Sequence, residues 1–389
     1  MMKLRYWPAV LAFGVAVATG PVVADEVKLP KGISWVTYGT SASSYAQSVG
    51  IGQALKKNYG VDVRIIPAKN DVARMVPIRS GDTDLCVCGM GAYFAQEGVH
   101  QFADKEWGPM PLFNLFNNVG RIGVMIVAAG DAGIKSIADV KGKRVTWVKG
   151  SPTHNTNMTA WLAFGGLTWD DVEKVEVPGW RQSAEAVIDG RADVTSGTTV
   201  SSAYNKLAAS PRGLFWVALP HADKAAWSRY QKVAPYLQPR VVENAISGEL
   251  NSTGKMPFDG AAYPFPAVLS GDGLTEEVAY SLTKAVMENY EDLKDAGPAM
   301  DGFQLSKQQF DWVYPYHAGA IKYYKQKGVW TAADDAHNAA LLKRQSVLAK
   351  AWNAYKSSAA EGEGFQSGWL KARAAALKDA GMEVVFGSN

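Results

Sequence analysis

Hydrophobic residues along this chain follow two rhythms that alternate. Short apolar or every-second-position runs at 33–38, 61–66 and 84–88 predict strands. Between them, apolar residues recur every three or four positions at 45–58 and 71–79, which predicts helices, the second limited by Pro77. The same order returns further along, with strands at 144–148, 172–177 and 192–196 and helices at 155–164 and 183–188. Each copy opens with a small-residue turn directly after its first strand: Gly39-Thr40-Ser41-Ala42-Ser43-Ser44-Tyr45 in one, Gly150-Ser151-Pro152-Thr153-His154-Asn155 in the other. Gly39 and Asp84 lie 45 positions apart and Gly150 and Asp193 lie 43 apart, so the units match in length as well as in order. Two similar α/β lobes follow from that duplication.

Strands at 112–116 and 122–128 extend the first unit, and Gly130 marks a change of lobe. A further strand is expected at 215–219, and the Pro- and aromatic-rich stretch 257–269 reads as the return crossing. Lobe 1 is therefore expected over 25–128 plus 262–345 and lobe 2 over 129–261, a discontinuous arrangement that allows hinge closure on a ligand. Residues 276–290 form an amphipathic helix with Val278, Leu282, Val286 and Met287 on one side. More helices are expected at 306–312, 317–326, 334–355 and 368–380, so the region 346–389 is a helical C-terminal extension wrapped on lobe 1.

The termini and composition narrow the setting. A short basic start with Lys3 and Arg5, an apolar stretch from Trp7 to Ala18 and small residues before Asp25 predict a secretory signal peptide over 1–24, cleaved after Ala24. No later run reaches the roughly 20 apolar residues of a spanning helix, so export to the periplasm without an anchor is expected. Removing Lys3 and Arg5 leaves 38 basic against 37 acidic side chains, which gives no basic face for nucleic acid. Cys86 and Cys88 share one face of a strand, are expected too far apart to pair well, and read as buried thiols. The five histidines show no metal-binding grouping, and no G-x-S-x-G elbow is present, so neither a metal, a cofactor nor catalytic chemistry is expected.

A βα turn rich in Gly and Ser aims backbone N–H groups and hydroxyls at the positive end of a helix dipole, where an anion is favoured. Two such turns facing one another would hold a small acid from both sides. Thr40, Ser41, Ser44 and Tyr45 are the candidates in lobe 1, and Ser151, Thr153, His154 and Asn155 those in lobe 2. Asn70 follows the second strand, Gly89 and Met90 follow the third at the edge where ligands sit in open α/β sheets, and Thr198 and Thr199 hold the matching position in lobe 2. Trp147 and Trp180 could stack on a planar acid, and Arg181 could grip its carboxylate with both arms of the guanidinium.

These elements resemble the TAXI family, the solute receptors of one class of TRAP transporters. The resemblance is carried by Gly39-Thr40 to Tyr45, Ser80 to Asp84, the segment Gly133-Ile134-Lys135-Ser136-Ile137-Ala138-Asp139-Val140-Lys141-Gly142-Lys143-Arg144-Val145, Gly150 to Thr153, and the helical patterns 282–289 and 317–324. It implies a two-lobe type II periplasmic binding protein fold and a receptor that hands a small organic acid to a TRAP-type permease without altering it. The same fold feeding an ABC permease or a sensor kinase is the alternative, with a periplasmic hydrolase a more distant one. Where many members carry a polar triplet after the third strand, this chain has Cys88-Gly89-Met90, which points to a less hydrophilic ligand.

Overall fold

The computed structural model describes residues 26–358 and 364–386, so the expected signal peptide lies outside the described residues. The chain begins β1 (Gly32–Tyr38), α1 (Ser43–Tyr59), β2 (Asp62–Ala68), α2 (Asp71–Ser80), β3 (Leu85–Cys88), α3 (Met90–Glu97) and β4 (Phe113–Asn117). It crosses into β5 (Val124–Ala129), β6 (Arg144–Val148), α4 (Pro152–Phe164), β7 (Glu173–Val177), α5 (Trp180–Ile188), β8 (Val194–Thr198), α6 (Ala203–Ala209) and β9 (Leu214–Trp216). Then come α7 (Lys224–Val233), a hairpin of β10 (Gln238–Val242) and β11 (Phe258–Ala262), and β12 (Ala267–Ser270). Five helices close the chain: α8 (Glu276–Glu288), α9 (Tyr290–Leu293), α10 (Ala318–Gln326), α11 (Ala332–Ser358) and α12 (Phe365–Asp379).

Two five-stranded sheets share one plan. Lobe 1 is ordered β2-β1-β3-β12-β4 and lobe 2 β7-β6-β8-β5-β9. In each, the first three strands are parallel, and the strand that arrives from the opposite lobe inserts antiparallel as the fourth. This is the type II periplasmic binding protein arrangement, and it places the C-terminal ends of β1–β3 opposite those of β6–β8. Strands buried on both faces need apolar side chains throughout, which is why Val124–Ala129 and Ala267–Ser270 read as continuous runs rather than alternating ones.

The two crossings are paired: the Phe265 N–H donates to the Asn118 carbonyl at 2.7 Å and the Asn118 N–H to the Pro266 carbonyl at 2.9 Å. The first crossing is therefore 118–123 rather than Gly130, and residues 124–128, expected in lobe 1, belong to the fourth strand of the lobe 2 sheet. The boundary expected at 345/346 falls within α11, one unbroken 27-residue helix.

Local expectations also change. Residues 306–312 make only a single tight turn, Leu305–Lys307, because Gln308 and Gln309 are held to Asn117. Gly89 and Met90, expected at the ligand edge after the third strand, are the capping residue and first residue of α3. Cys86 and Cys88 are paired as a disulfide rather than free: both project from one face of β3, and their Cα atoms, 5.4 Å apart, lie within the ordinary bridging range.

Lobe 1 packs Trp35, Ile51, Leu55, Phe116, Leu282 and Tyr324 on one face of its sheet, and lobe 2 centres on Ile126, Trp161, Val194, Tyr204 and Trp216. Each such side chain contributes roughly 1.5–3 kcal/mol by leaving water. Among the described residues no helix is long and apolar enough to cross a membrane.

Candidate ligand-binding site

The lobes meet over the two turns that the duplication singles out. Lobe 1 reaches across with the N-terminus of α2: the Val72 N–H donates to the Gly150 carbonyl at 3.1 Å, and the Asn70 amide donates to the Lys149 carbonyl at 3.0 Å. Asn70 also caps its own helix, its Oδ1 accepting from the Ala73 N–H at 2.9 Å. Gly150 sits at φ +70° with its α-carbon against the Asn70 side chain, a left-handed turn and a close approach that together require glycine. The Trp180 N–H donates to the Lys69 carbonyl, Ser43 and Thr198 share a hydroxyl hydrogen bond at 2.8 Å, and the Ser202 hydroxyl donates to the Ser41 carbonyl.

Between these ties lies a cavity of about 70 Å³. That is small beside the roughly 300–1,000 Å³ of drug-sized sites, so in this closed arrangement it suits a solute of few heavy atoms. Its floor is ionic. Asp71 and Arg74 lie one turn apart on α2, only 1% and 2% exposed, and pair with each other. The second Asp71 oxygen accepts from the Ser151 hydroxyl at 3.1 Å and the Thr153 N–H at 2.8 Å. The positive end of α4, opened by Pro152 at its first position, thus receives a carboxylate from the other lobe. Gly91 makes room for it, since a β-carbon there would stand 2.5 Å from the Asp71 carboxyl carbon.

The Arg74 guanidinium stacks 3.5 Å over the Tyr38 ring. Burial pushes the Tyr38 hydroxyl up to about 12, so it is protonated at physiological pH. Tyr263 and Phe265 complete an aromatic wall, packing edge-on around Gly89, where any β-carbon would collide with the Tyr38 hydroxyl and both rings.

Lobe 2 lines the opposite side with polar groups. His154 Nε2 lies 3.3 Å from the Thr146 carbonyl, which can only accept, so Nδ1 is left to accept from the Ser196 hydroxyl at 3.1 Å. Burial lowers this imidazole to about 4, and it is neutral near pH 7. Trp180 donates its indole N–H to the Ser196 carbonyl, and Asn157 accepts from the Tyr236 hydroxyl at 2.7 Å. The buried Thr153 hydroxyl lines the cavity and makes no hydrogen bond to the protein.

Of the residues expected from sequence, Asn70, Ser151, Thr153, His154, Trp180 and Thr198 line this cavity. The others do not. Thr40 is exposed, Tyr45 is half-buried away from the cavity, and Ser44 is buried within α1; Ser41 contributes only its carbonyl to the lobe contact. The first turn of α1 starts at Ser43, so its inward residues are Ala42 and Ser43. Asn155 clips α4 to the end of β6 through the Val148 N–H and carbonyl, and Thr199 fastens the crossing through the Gly123 N–H and the Asn244 carbonyl. Gly89 supports the aromatic wall from behind, and Met90 is in the core. Trp147 packs on Trp169 beside a separate surface groove. Arg181 points outward, its side chain 61% exposed and 3.6 Å from Glu185, because the first turn of α5 turns Trp180 rather than Arg181 to the cavity.

Tyr38, Ser43, Asp71, Arg74, Asn157, Tyr263 and Phe265 were not singled out by sequence reasoning. A signal existed for two of them: Asp71 and Arg74 fall in the first turn of a helix that follows a parallel strand, at the sheet edge where ligands bind. Among the described residues no cluster of three His, Cys, Asp or Glu could hold a metal ion.

The chain belongs to the NMT1-like family, a periplasmic substrate-binding family, whose model matches residues 36–328. Its structure is similar to that of the alkanesulfonate-binding protein SsuA from Xanthomonas axonopodis pv. citri bound to MOPS, with 15% identity, a TM-score of 0.43, and coverage of 86% of this chain and 96% of that one. It is also similar to an ancestral arginine-binding protein bound to arginine (16% identity, TM-score 0.41, coverage 70% and 96%). A third is an ABC transporter periplasmic binding protein from Brucella ovis with glutathione bound (13% identity, TM-score 0.41, coverage 66% of each chain).

Proposed function

We propose that this member of the NMT1-like family is an extracytoplasmic receptor that closes its two lobes on a small organic acid and delivers it, unaltered, to a TRAP-type permease. The observation that carries the acid is Arg74, a buried guanidinium that, paired with Asp71, faces a cavity otherwise ringed by hydroxyls, amides, an imidazole and aromatic rings. A guanidinium offers five N–H donors in a planar fork, so one edge can hold Asp71 while others remain for a ligand carboxylate. The unpartnered Thr153 hydroxyl supports a second polar contact from lobe 2. The permease class rests on the TAXI resemblance of the motifs at 39–45, 80–84 and 133–145. Uptake by cells carrying a candidate permease, driven by an ion gradient and insensitive to ATP depletion, distinguishes it from an ABC system.

A thermal-shift screen of small carboxylates tests the reading. A hit at a hundredfold excess over Kd adds about 2.7 kcal/mol of apparent stability. Arg74→Gln is expected to abolish the shift and Arg181→Ala to retain it within experimental error. Loss of the shift in Arg181→Ala with retention in Arg74→Gln would return the acid site to the outer turn of α5.

A further inference from the structure

Arg74 and Asp71 are the only charged side chains lining the cavity among the described residues, for His154 is neutral near pH 7. Their formal charges cancel. Asp71 is also fully engaged: one oxygen is on Arg74, the other on the Ser151 hydroxyl and the Thr153 N–H. The same carboxylate therefore holds both features that would otherwise attract an anion, the guanidinium and the positive end of α4. A simple mono-anion entering this space leaves one negative charge uncompensated away from water, beside a fixed carboxylate of like sign. That arrangement is penalised heavily.

We infer that Asp71 is a specificity-determining residue, which makes the cavity electrically neutral and reserves it for acids that carry their own cationic group. This rests on the cavity being the ligand site, as proposed above. A zwitterion adds no net charge: its carboxylate meets N–H groups of Arg74 beyond the one held by Asp71, and its cationic end meets oxygen lone pairs of Ser43, Ser196, Thr198 and Thr153, all of which line the same space. Asp71 excludes by charge what the surrounding hydroxyls would accept by shape.

Three solutes of nearly equal size and different charge, glycine, glycolate and glycinamide, test the assignment by titration calorimetry. Wild-type protein is expected to prefer glycine over each of the other two by roughly tenfold or more. Asp71→Asn, nearly isosteric, is expected to reverse the order in favour of glycolate, and Arg74→Gln to favour glycinamide. A purely structural role for Asp71 would weaken all three alike. Wild type binding glycolate as tightly as glycine, or variants that keep the wild-type order, would overturn the inference.

Cavity charge is read independently of the natural solute with formate in a thermal-shift assay. Asp71→Asn should gain a formate-dependent shift that wild type and the double variant Asp71→Asn/Arg74→Gln lack. No gain in Asp71→Asn refutes the charge role. A gain in that variant, with none of the three solutes bound by wild type, leaves the charge role standing and instead overturns the reading of the ligand as a small acid.

Discussion

His154 gives the cavity a measurable dependence on acid. Burial lowers its pKa from 6.5 to about 4, because the charged imidazolium would lose its hydration there, a cost that the Thr146 carbonyl and the Asp71 carboxylate offset only in part. The unfolded chain takes up a proton on this residue below about pH 6.5 while the folded protein does not, so stability is lost as pH falls from 6.5 towards 4. At about 1.4 kcal/mol per pKa unit, the full difference is about 3 kcal/mol, of which about 2 kcal/mol is gone by pH 5. Urea denaturation at pH 7.5, 6 and 5 measures it. His100, also lowered to about 4 by burial and by Arg373, adds a loss of the same sign, so the comparison is between wild type and His154→Gln rather than between wild type and zero. The variant should be flatter by about 2 kcal/mol between pH 7.5 and 5. Parallel curves would mean that the imidazole is hydrated and the lobes are open in solution.

The C-terminal extension supplies the remaining predictions. Glu97 is fully buried and is hydrogen-bonded by both Arg344 and Arg373, so Glu97→Gln leaves two buried guanidinium groups short of a counter-charge and should cost about 3–5 kcal/mol in a denaturation experiment. A cost under 1 kcal/mol would show the pair of arginines to be solvated. Phe386 packs on Tyr93, Phe94 and His100 of lobe 1 and on Tyr236 of lobe 2. Phe386→Ala, at a partly buried site, should cost about 1–2 kcal/mol and increase the radius of gyration by small-angle scattering; unchanged scattering would remove the tail from the closure of the lobes.

The lobes were legible because buried strands and amphipathic helices carry periodic apolar positions, and because the order of those elements repeats. The turns at 39–45 and 150–155 both lie at the lobe junction, the first against residues 198–202 and the second against the start of α2. Which residues within them face inward was not legible, for a physical reason. The cavity lining mixes an aromatic wall with hydroxyls and charged groups at turns and helix starts, positions that apolar periodicity does not mark. Arg181 and Arg74 each open a helix after a strand, and both read as surface positions. Only the packing of Gly91 behind Asp71, and of Tyr38 beneath the guanidinium, turns Arg74 inward and leaves Arg181 in water. The disulfide was missed on an assumed full strand extension, whereas β3 brings its two Cα atoms to 5.4 Å.

The helices beyond residue 328, where the family match ends, are part of the construction of lobe 1 rather than an appendage to it. Trp352 and Trp369 meet edge to face at 4.8 Å, and the Trp369 indole donates to the Gly98 carbonyl. Gly108, at φ +78°, has no space for a side chain because the Trp352 ring fills it. Gln345 donates to the Leu112 carbonyl and the Gln96 side chain, and Gln366 to the His100 carbonyl. Removing α11 and α12 would therefore take from Glu97 its two arginine partners and expose to water the apolar surface around Ala103 that Trp352, Phe365 and Trp369 cover. Because the same extension returns Phe386 to the seam between the lobes, opening the cleft requires either that the tail stay with lobe 1 and leave Tyr236, or that it detach from Tyr93 and Phe94. The Arg373 contacts to the Glu97 carbonyl and, at the limit of hydrogen-bond length, to the Phe386 carbonyl favour the first course, so the tail moves with lobe 1 and Tyr236 is the contact that parts.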